Sequence, residues 1–250
     1  MSTPRPAFYS REGDNFIPTG LGVSPWNGRS QLGPALAGLA GHILEQVPTK
    51  QPMITSRLTV DILGTVPMAP LAPVLRVIRD GQRMQMAEVE FYAAGRLWVR
   101  ATAMRARIAE TAERATPLTR RHPIDSDPLE QYPWFESRHV DCDRKRVGPG
   151  AIWARFKADV VANEPLAPLS VMAMIADFGS GTAPLMHLQE WTLANLDITV
   201  YLTRMPVSEW LLVDAESEGA GHGSGVSSAR IGDARGMFAR SLQSVFIDRR

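Results

Sequence analysis

Three polar residues in the second half of the chain have side chains able to hold and activate a water molecule: Asp177, Asn195 and Gln243. Asp177 follows the apolar run Met172-Ala173-Met174-Ile175-Ala176 and precedes Phe178. A carboxylate among such neighbours is costly to bury unless it is paired or used. Gln243 lies in Ser241-Leu242-Gln243-Ser244-Val245-Phe246, a strand-like stretch, and Asn195 opens the strand that follows the Asp177 helix. An ionised acid accepts a proton from water, and amides both donate and accept. A water held by one acid and one or two amides can attack a polarised carbonyl without a protein nucleophile. A backbone N–H at a helix can steady the oxyanion that results. Each residue also has an ordinary alternative. Asp177 would then cap the helix end near Gly179, Gln243 would face solvent, and Asn195 would serve as a turn residue.

An internal repeat weighs against the ordinary alternatives. Residues 56–67 read Ser-Arg-Leu-Thr-Val-Asp-Ile-Leu-Gly-Thr-Val-Pro, and residues 195–206 read Asn-Leu-Asp-Ile-Thr-Val-Tyr-Leu-Thr-Arg-Met-Pro. Gly95-Arg96-Leu97-Trp98-Val99-Arg100 is answered by Gly236-Met237-Phe238-Ala239-Arg240. The step from Pro67 to Arg100 is 33 positions and that from Pro206 to Arg240 is 34. A repeat of this length is a duplicated fold unit. By this alignment Gln243 corresponds to Ala103 and Asn195 to Ser56. The first-half helix carries Gly, Ala and apolar residues through its middle, so the fold does not require an acid there.

The elements that must position these residues follow from periodicity. Leu32, Ala35, Leu36, Leu39, Ala40, Ile43 and Leu44 space as one helix face from Gln31 to Val47, ended by Pro48. Strands are expected at 54–63, 74–78, 83–92 and 97–104, with Asp80-Gly81 as a hairpin turn. The second unit repeats the plan: a strand near 151–160, a helix over 166–179, then strands at 192–202, 210–216, 226–231 and 237–247. Between the units, residues 106–135 hold Thr116-Pro117, His122-Pro123, Asp127-Pro128 and Tyr132-Pro133 among charges and read as a linker. The domain reading is 1–105, linker 106–135, and 136–250 with the site. Helix-plus-antiparallel-sheet units make an α+β protein. Duplicated, with each helix in the concave face of its own sheet, they form a double hotdog with one continuous sheet.

Bulk properties narrow the function. The 250 residues carry a formal charge of +1, which gives no electrostatic reason to bind nucleic acid or an anionic membrane. The one cysteine, Cys142, excludes an intramolecular disulfide and a cysteine-based zinc site. Met1 to Asn15 is polar and is no secretory signal, and no apolar run reaches the ~20 residues of a membrane span. A cytoplasmic protein with no membrane partner is expected. The histidines His42, His122, His139, His187 and His222 lack metal-ligand spacing. Gly219 to Gly225 has no Lys-Ser or Lys-Thr and is a hairpin loop, not a phosphate cradle. No serine sits in a Gly-x-Ser-x-Gly elbow. Arg144-Lys145-Arg146 is a short basic run, read as solvated. No cofactor is expected.

The chain resembles the type II acyl-CoA thioesterases, which are double-hotdog hydrolases. The likeness rests on Met174-Ile175-Ala176-Asp177-Phe178, Ala194-Asn195-Leu196-Asp197, Ser208-Glu209-Trp210-Leu211-Leu212-Val213-Asp214-Ala215-Glu216-Ser217, Ala234-Arg235-Gly236 and Ser241-Leu242-Gln243. It extends more weakly from Gln31 through Ala103. In that family an Asp on the second helix, a Thr or Ser on the next strand and a Gln on the last strand position the hydrolytic water. Asp177 and Gln243 match, whereas Asn195 falls where a hydroxyl is usual. The aromatic-His stretch of the family is here Val200-Tyr201-Leu202-Thr203. The resemblance implies hydrolysis of acyl-CoA to free acid and CoA, with a homodimer as the assembly. The Asn195 departure motivates the alternative, a double hotdog that binds acyl thioesters or another apolar ligand without turning them over.

Overall fold

The computed structural model describes residues 5–112, 114, 116–117, 129–140 and 147–250. His122, Cys142 and the basic run Arg144-Lys145-Arg146 lie outside the described residues. The first half contains β1 (Ala7–Glu12), β2 (Asn15–Pro18), α1 (Gly33–Glu45), β3 (Met53–Ile62), β4 (Ala72–Asp80), β5 (Met84–Ala93) and β6 (Arg96–Arg107). Then come β7 (Leu129–Gln131), β8 (Phe135–His139), β9 (Gly150–Phe156), β10 (Asp159–Val161), α2 (Pro168–Ala176) and α3 (Gly179–Thr182). The chain closes with β11 (Trp191–Asn195), β12 (Asp197–Leu202), β13 (Leu211–Gly219), β14 (Ser224–Asp233) and β15 (Gly236–Arg249).

Strand order shows how the repeat is used. One sheet runs β4-β5-β6-β3-β12-β15-β14-β13-β9-β8-β7, with β11 also on β15. The two halves meet at the antiparallel pair β3–β12, where Val60 lies opposite Ile198. Fusing the sheets at this pair removes one exposed edge from each half. β3 and β5 alternate, and their inward residues Leu58, Val60, Ala87, Val89 and Phe91 are buried. α1 packs on β3, β5 and β6, and α2 on β12 and β15. This is the α+β double hotdog that the periodicities predict.

The helices lie against each other across the join. A Cβ on Gly41 would stand 2.7 Å from the Leu169 carbonyl oxygen, so only glycine permits this approach. Ser170 Oγ donates to Gly38 O at 2.9 Å. Neither helix is capped by its own N-cap side chain, and both have a proline in the first turn, where its missing N–H costs nothing. The two run antiparallel, so the start of each faces the end of the other.

The strands β1, β2, β7 and β8 are not evident from periodicity. Phe8, Tyr9 and Phe16 of β1 and β2 are among the most deeply buried side chains. β1 pairs in parallel with β10, Ala7 opposite Asp159. A contact spanning some 150 positions leaves no local pattern to read. No helix among the described residues is long and apolar enough to cross a membrane.

Candidate functional site

The end of α2 brings Asp177 to the junction of the halves. Asp177 takes the C-cap position, with the chain turning directly into α3. Its carboxyl lies against the first residue of α1: a Cβ on Gly33 would meet Asp177 Oδ2 at 2.7 Å. Glycine at this position leaves the acid its place. Helix starts carry unpaired N–H groups and partial positive charge, so the acid faces the positive end of the partner helix.

Asn195, the last residue of β11, closes the other side. Its Nδ2 donates to Asp177 Oδ1 at 2.7 Å and to the Asp177 carbonyl oxygen at 3.3 Å. Ser180 Oγ donates to Asn195 Oδ1 at 2.8 Å. That bond fixes which way the Asn195 amide points, since its oxygen is taken by Ser180 and its NH₂ is left for the acid.

Gln243 of β15 is fully inside, 1 % exposed. Its Nε2 donates to Ala176 O at 3.1 Å, and its Oε1 accepts from the Ser180 N–H at 2.9 Å. Asp177 and Asn195 therefore meet directly. Gln243 joins them through Ser180 and the end of α2, and among the described residues no hydrogen bond links it to either side chain. Burial pushes the Asp177 carboxyl up to about 7, against the opposing pull of the Asn195 hydrogen bond. An acid titrating there is half ionised near neutral pH, the range in which a general base works best.

Asp177, Asn195, Ser180 and Gly33 line a cavity of about 850 Å³. Its walls come from both halves. Leu36 and Ile62 belong to the first, Phe178 to the second, and Trp134 and Phe135 to the segment that joins them. The aromatic wall is packed: Trp134 and Phe135 lie 4.3 Å apart between centroids, and Phe178 meets Phe135 edge-on at 5.2 Å. The volume and the apolar walls suit a small apolar ligand with one polar centre. His187, the histidine next after Asp177 in the chain, is exposed and lies outside the cavity lining, whereas His139 is part of it.

Comparison with known proteins decides the family. The model of the acyl-CoA thioesterase C-terminal domain matches residues 65–247, and that of the N-terminal domain matches residues 23–106. The chain belongs to the acyl-CoA thioesterase family. Solved structures agree in fold. An acyl-CoA thioesterase II from Mycobacterium marinum is 18% identical, with a TM-score of 0.70 over 96% of this chain and 94% of that one. A conserved hot dog fold protein from Alicyclobacillus acidocaldarius is 17% identical, with a TM-score of 0.76 over 96% and 95%. The TesB protein of Mycobacterium avium subspecies paratuberculosis is 14% identical, with a TM-score of 0.67 over 96% of each chain. No curated protein sequence matches the chain.

Within this thioesterase-family chain, two site residues escape a reading of the sequence alone. Ser180 shows only as a polar residue one turn past Asp177, and Gly33 only as a glycine before a proline. The repeat alignment also shifts by one position. In the first half the register with β6 slips between Thr55 and Arg57; in the second, Leu196 separates β11 from β12. Thr55 faces Arg105 as Asn195 faces Val245. The first-half counterpart of Asn195 is therefore Thr55, not Ser56.

Proposed function

We propose that the protein hydrolyses acyl-CoA thioesters to free acid and CoA, with water as the direct nucleophile. The observation that carries this reading is the Asn195–Asp177 contact of 2.7 Å on the wall of a cavity shared by both halves. Asp177 Oδ2 is the base that takes the proton of the attacking water. Asn195 holds the carboxylate from the other side, in the place where the family has a hydroxyl. Gln243 fixes the end of α2 and the Ser180 backbone beneath them. The Gly33 N–H, at the uncapped start of α1, is the donor for the oxyanion that forms on the thioester carbonyl. Collapse of the tetrahedral intermediate breaks the C–S bond and expels the CoA thiolate, and the proton held by Asp177 returns to solvent or to that thiolate, which leaves the acid ionised for the next turnover. The halves 1–105 and 136–250, joined by 106–135, each act as one hotdog. A homodimer is the assembly we expect, with exposed Tyr201, Val226 and Leu242 on the outer sheet face available to a second copy.

The test is thiol release from acyl-CoAs running from acetyl to palmitoyl, with an aromatic acyl group included. Release that disappears in Asp177→Ala, in a variant that melts close to the parent, supports the assignment. Full turnover by that variant overturns it. The second reading, ligand binding without hydrolysis, is favoured by the amide that occupies one Asp177 oxygen. It predicts tight acyl-CoA binding with no thiol released, and any hydrolysis well above the uncatalysed rate removes it.

A further inference from the structure

The cavity lining has two unlike parts. Leu36, Phe135 and Ile152 in its lining are all buried in the main core. Trp26 and Asn27 belong to the other part, and Trp26 is 38% exposed. The buried apolar part suits an acyl chain and the exposed part suits whatever carries it.

The loop presenting Trp26 is built rather than slack. Asn27 Oδ1 accepts from Arg29 N at 2.8 Å and from Ser30 N and Ser30 Oγ at 3.0 Å each. Ser24 Oγ accepts from Trp26 N at 3.3 Å, and Ser24 N donates to Ser30 O at 2.8 Å. Over the Trp26 ring stands the guanidinium of Arg250, 5.1 Å from the centroid. Its neighbour Arg249 stands 5.1 Å over Trp191, the residue paired with it across β11 and β15. Thr192, next to Trp191, and Phe246, three residues before Arg249, line the cavity. Asp248 and Glu190 share this corner, but Asp248 Oδ1 accepts from the Arg249 backbone and Glu190 offers its carbonyl oxygen to Arg250 N. Among the described residues no ion pair joins either arginine to a carboxylate. Two guanidiniums are thus pre-placed on indole faces with their N–H forks unspent, the arrangement that recognises phosphate.

We infer that Arg249 and Arg250 form the site for the phosphates of the coenzyme A moiety, with Trp26 and Trp191 as the platforms that hold them. This rests on the thioesterase reading for the acyl half of the ligand and adds the place of the other half. The thioester lies at Asp177, the acyl chain runs toward Phe135 and Ile152, and the pantetheine arm leaves past Trp26. A carrier-borne phosphopantetheine shares part of this chemistry, a single phosphodiester, and differs in lacking the nucleotide.

The experiment measures KM and kcat for one acyl group carried on CoA, on 3′-dephospho-CoA and on pantetheine, together with calorimetric binding of free CoA. The proteins are wild type, Arg249→Ala/Arg250→Ala and Arg96→Ala. Arg96 is the comparison because it too stacks on an indole near the cavity, 4.1 Å over Trp98 and beside Gly64. In the double variant, KM for the CoA ester rises about tenfold or more, the worth of a charge-assisted contact to phosphate. Its pantetheine KM and its kcat stay at wild-type values. Free CoA binding weakens in parallel and loses much of its salt dependence. A loss confined to CoA places the contact on the 3′-phosphate, and an equal loss on dephospho-CoA places it on the pyrophosphate; either supports the site. An unchanged ratio of CoA to pantetheine KM in the double variant overturns it, as does a loss seen in Arg96→Ala instead. A protein that hydrolyses no thioester defeats the thioesterase reading alone, because CoA binding and its dependence on the two arginines still decide this one.

Discussion

The ends of the two helices occupy matching places in the duplicated fold and are finished in opposite ways. At the end of α1, Arg105 of β6 reaches in, 6% exposed, and donates to Val47 O at 2.7 Å, to Gln85 Oε1 at 2.9 Å and to Leu44 O. Gln85 in turn donates to Pro48 O at 2.7 Å. A cation there complements the negative end of the helix and leaves no room for a ligand. Glu45, the last residue of α1, is turned to its neighbour and accepts from Leu169 N at 2.8 Å, capping α2. At the end of α2 the counterpart of Arg105 is Val245, an apolar residue. The carbonyls there are taken by amides, from Gln243 and Asn195, and the acid is left facing the cavity. One helix end is plugged by a charge and the other leaves a buried acid on the cavity wall. Duplication thus leaves one copy to hold the fold while the other carries a costly buried acid.

Four substitutions break or sharpen this contrast. The largest effect belongs to Asp177→Asn, which lowers kcat by about 10²–10⁴-fold, the usual worth of a general base, as read by thiol release. The same variant tests the cost of the acid. The folded carboxyl, at about 7, sits above an unfolded one near 3.9, so the folded state holds the proton across that interval. The stability tied to this group is full below about pH 4 and is lost as pH rises through 7. The melting temperature of Asp177→Asn should therefore gain on wild type between pH 4 and pH 8, and a constant gap would refute the burial argument.

Arg105→Met acts on the plugged end. It leaves the Val47 carbonyl and the Gln85 amide oxygen without the donor Arg105 supplies, while Leu44 O keeps its backbone donors, and it removes the cation nearest Glu45. The expected cost is about 3 kcal/mol, a Tm lower by roughly 6–12 °C, with kcat per folded molecule unchanged. Calorimetry beside the thiol assay separates the two effects. Gln243→Ala gives the second half the residue of the first, Ala103. It should lower Tm by a few degrees, about 1–2 kcal/mol for the lost bonds to Ala176 O and Ser180 N. Turnover should fall as well, because Ser180 loses its anchor. The smallest effect is that of Asn195→Ala. Removing the one hydrogen bond that favours the ionised acid moves the rising limb of the pH–rate profile upward, and a downward shift would contradict the assigned contact.

Much of this contrast could be read in advance, and the part that could not has physical causes. The alternation in β3 and β5 and the small-residue face of α1 betray the hotdog units, because each residue there answers to its own local periodicity. Asp177 stands out as an acid beside an apolar run, and Gln243 as a polar residue whose repeat partner is Ala103. Arg105 hid among the other arginines of β6, since a burial that depends on the far end of α1 has no local sign. Gly33 hid for the same reason, its meaning set by a carboxyl more than a hundred residues away. The misplaced counterpart of Asn195 came from matching Pro67 with Pro206, 139 positions apart, where the strand pairings repeat at 140. The N-terminal strands gave no local sign because β1, beyond its short hairpin with β2, is placed by β10, some 150 positions on.

The close packing of Gly38 and Gly41 of α1 against α2 has a consequence for biosynthesis. α1 leaves the ribosome well over a hundred residues ahead of the helix that covers it. At about 5–20 residues per second, its bare glycine face waits roughly 5–30 s for its partner. Through that interval the nascent first half carries an unsealed seam, and both its outermost strand β4 and this seam are open to other chains. The join that builds the cavity is thus also the last to be made and the place where a crowded synthesis would first go astray.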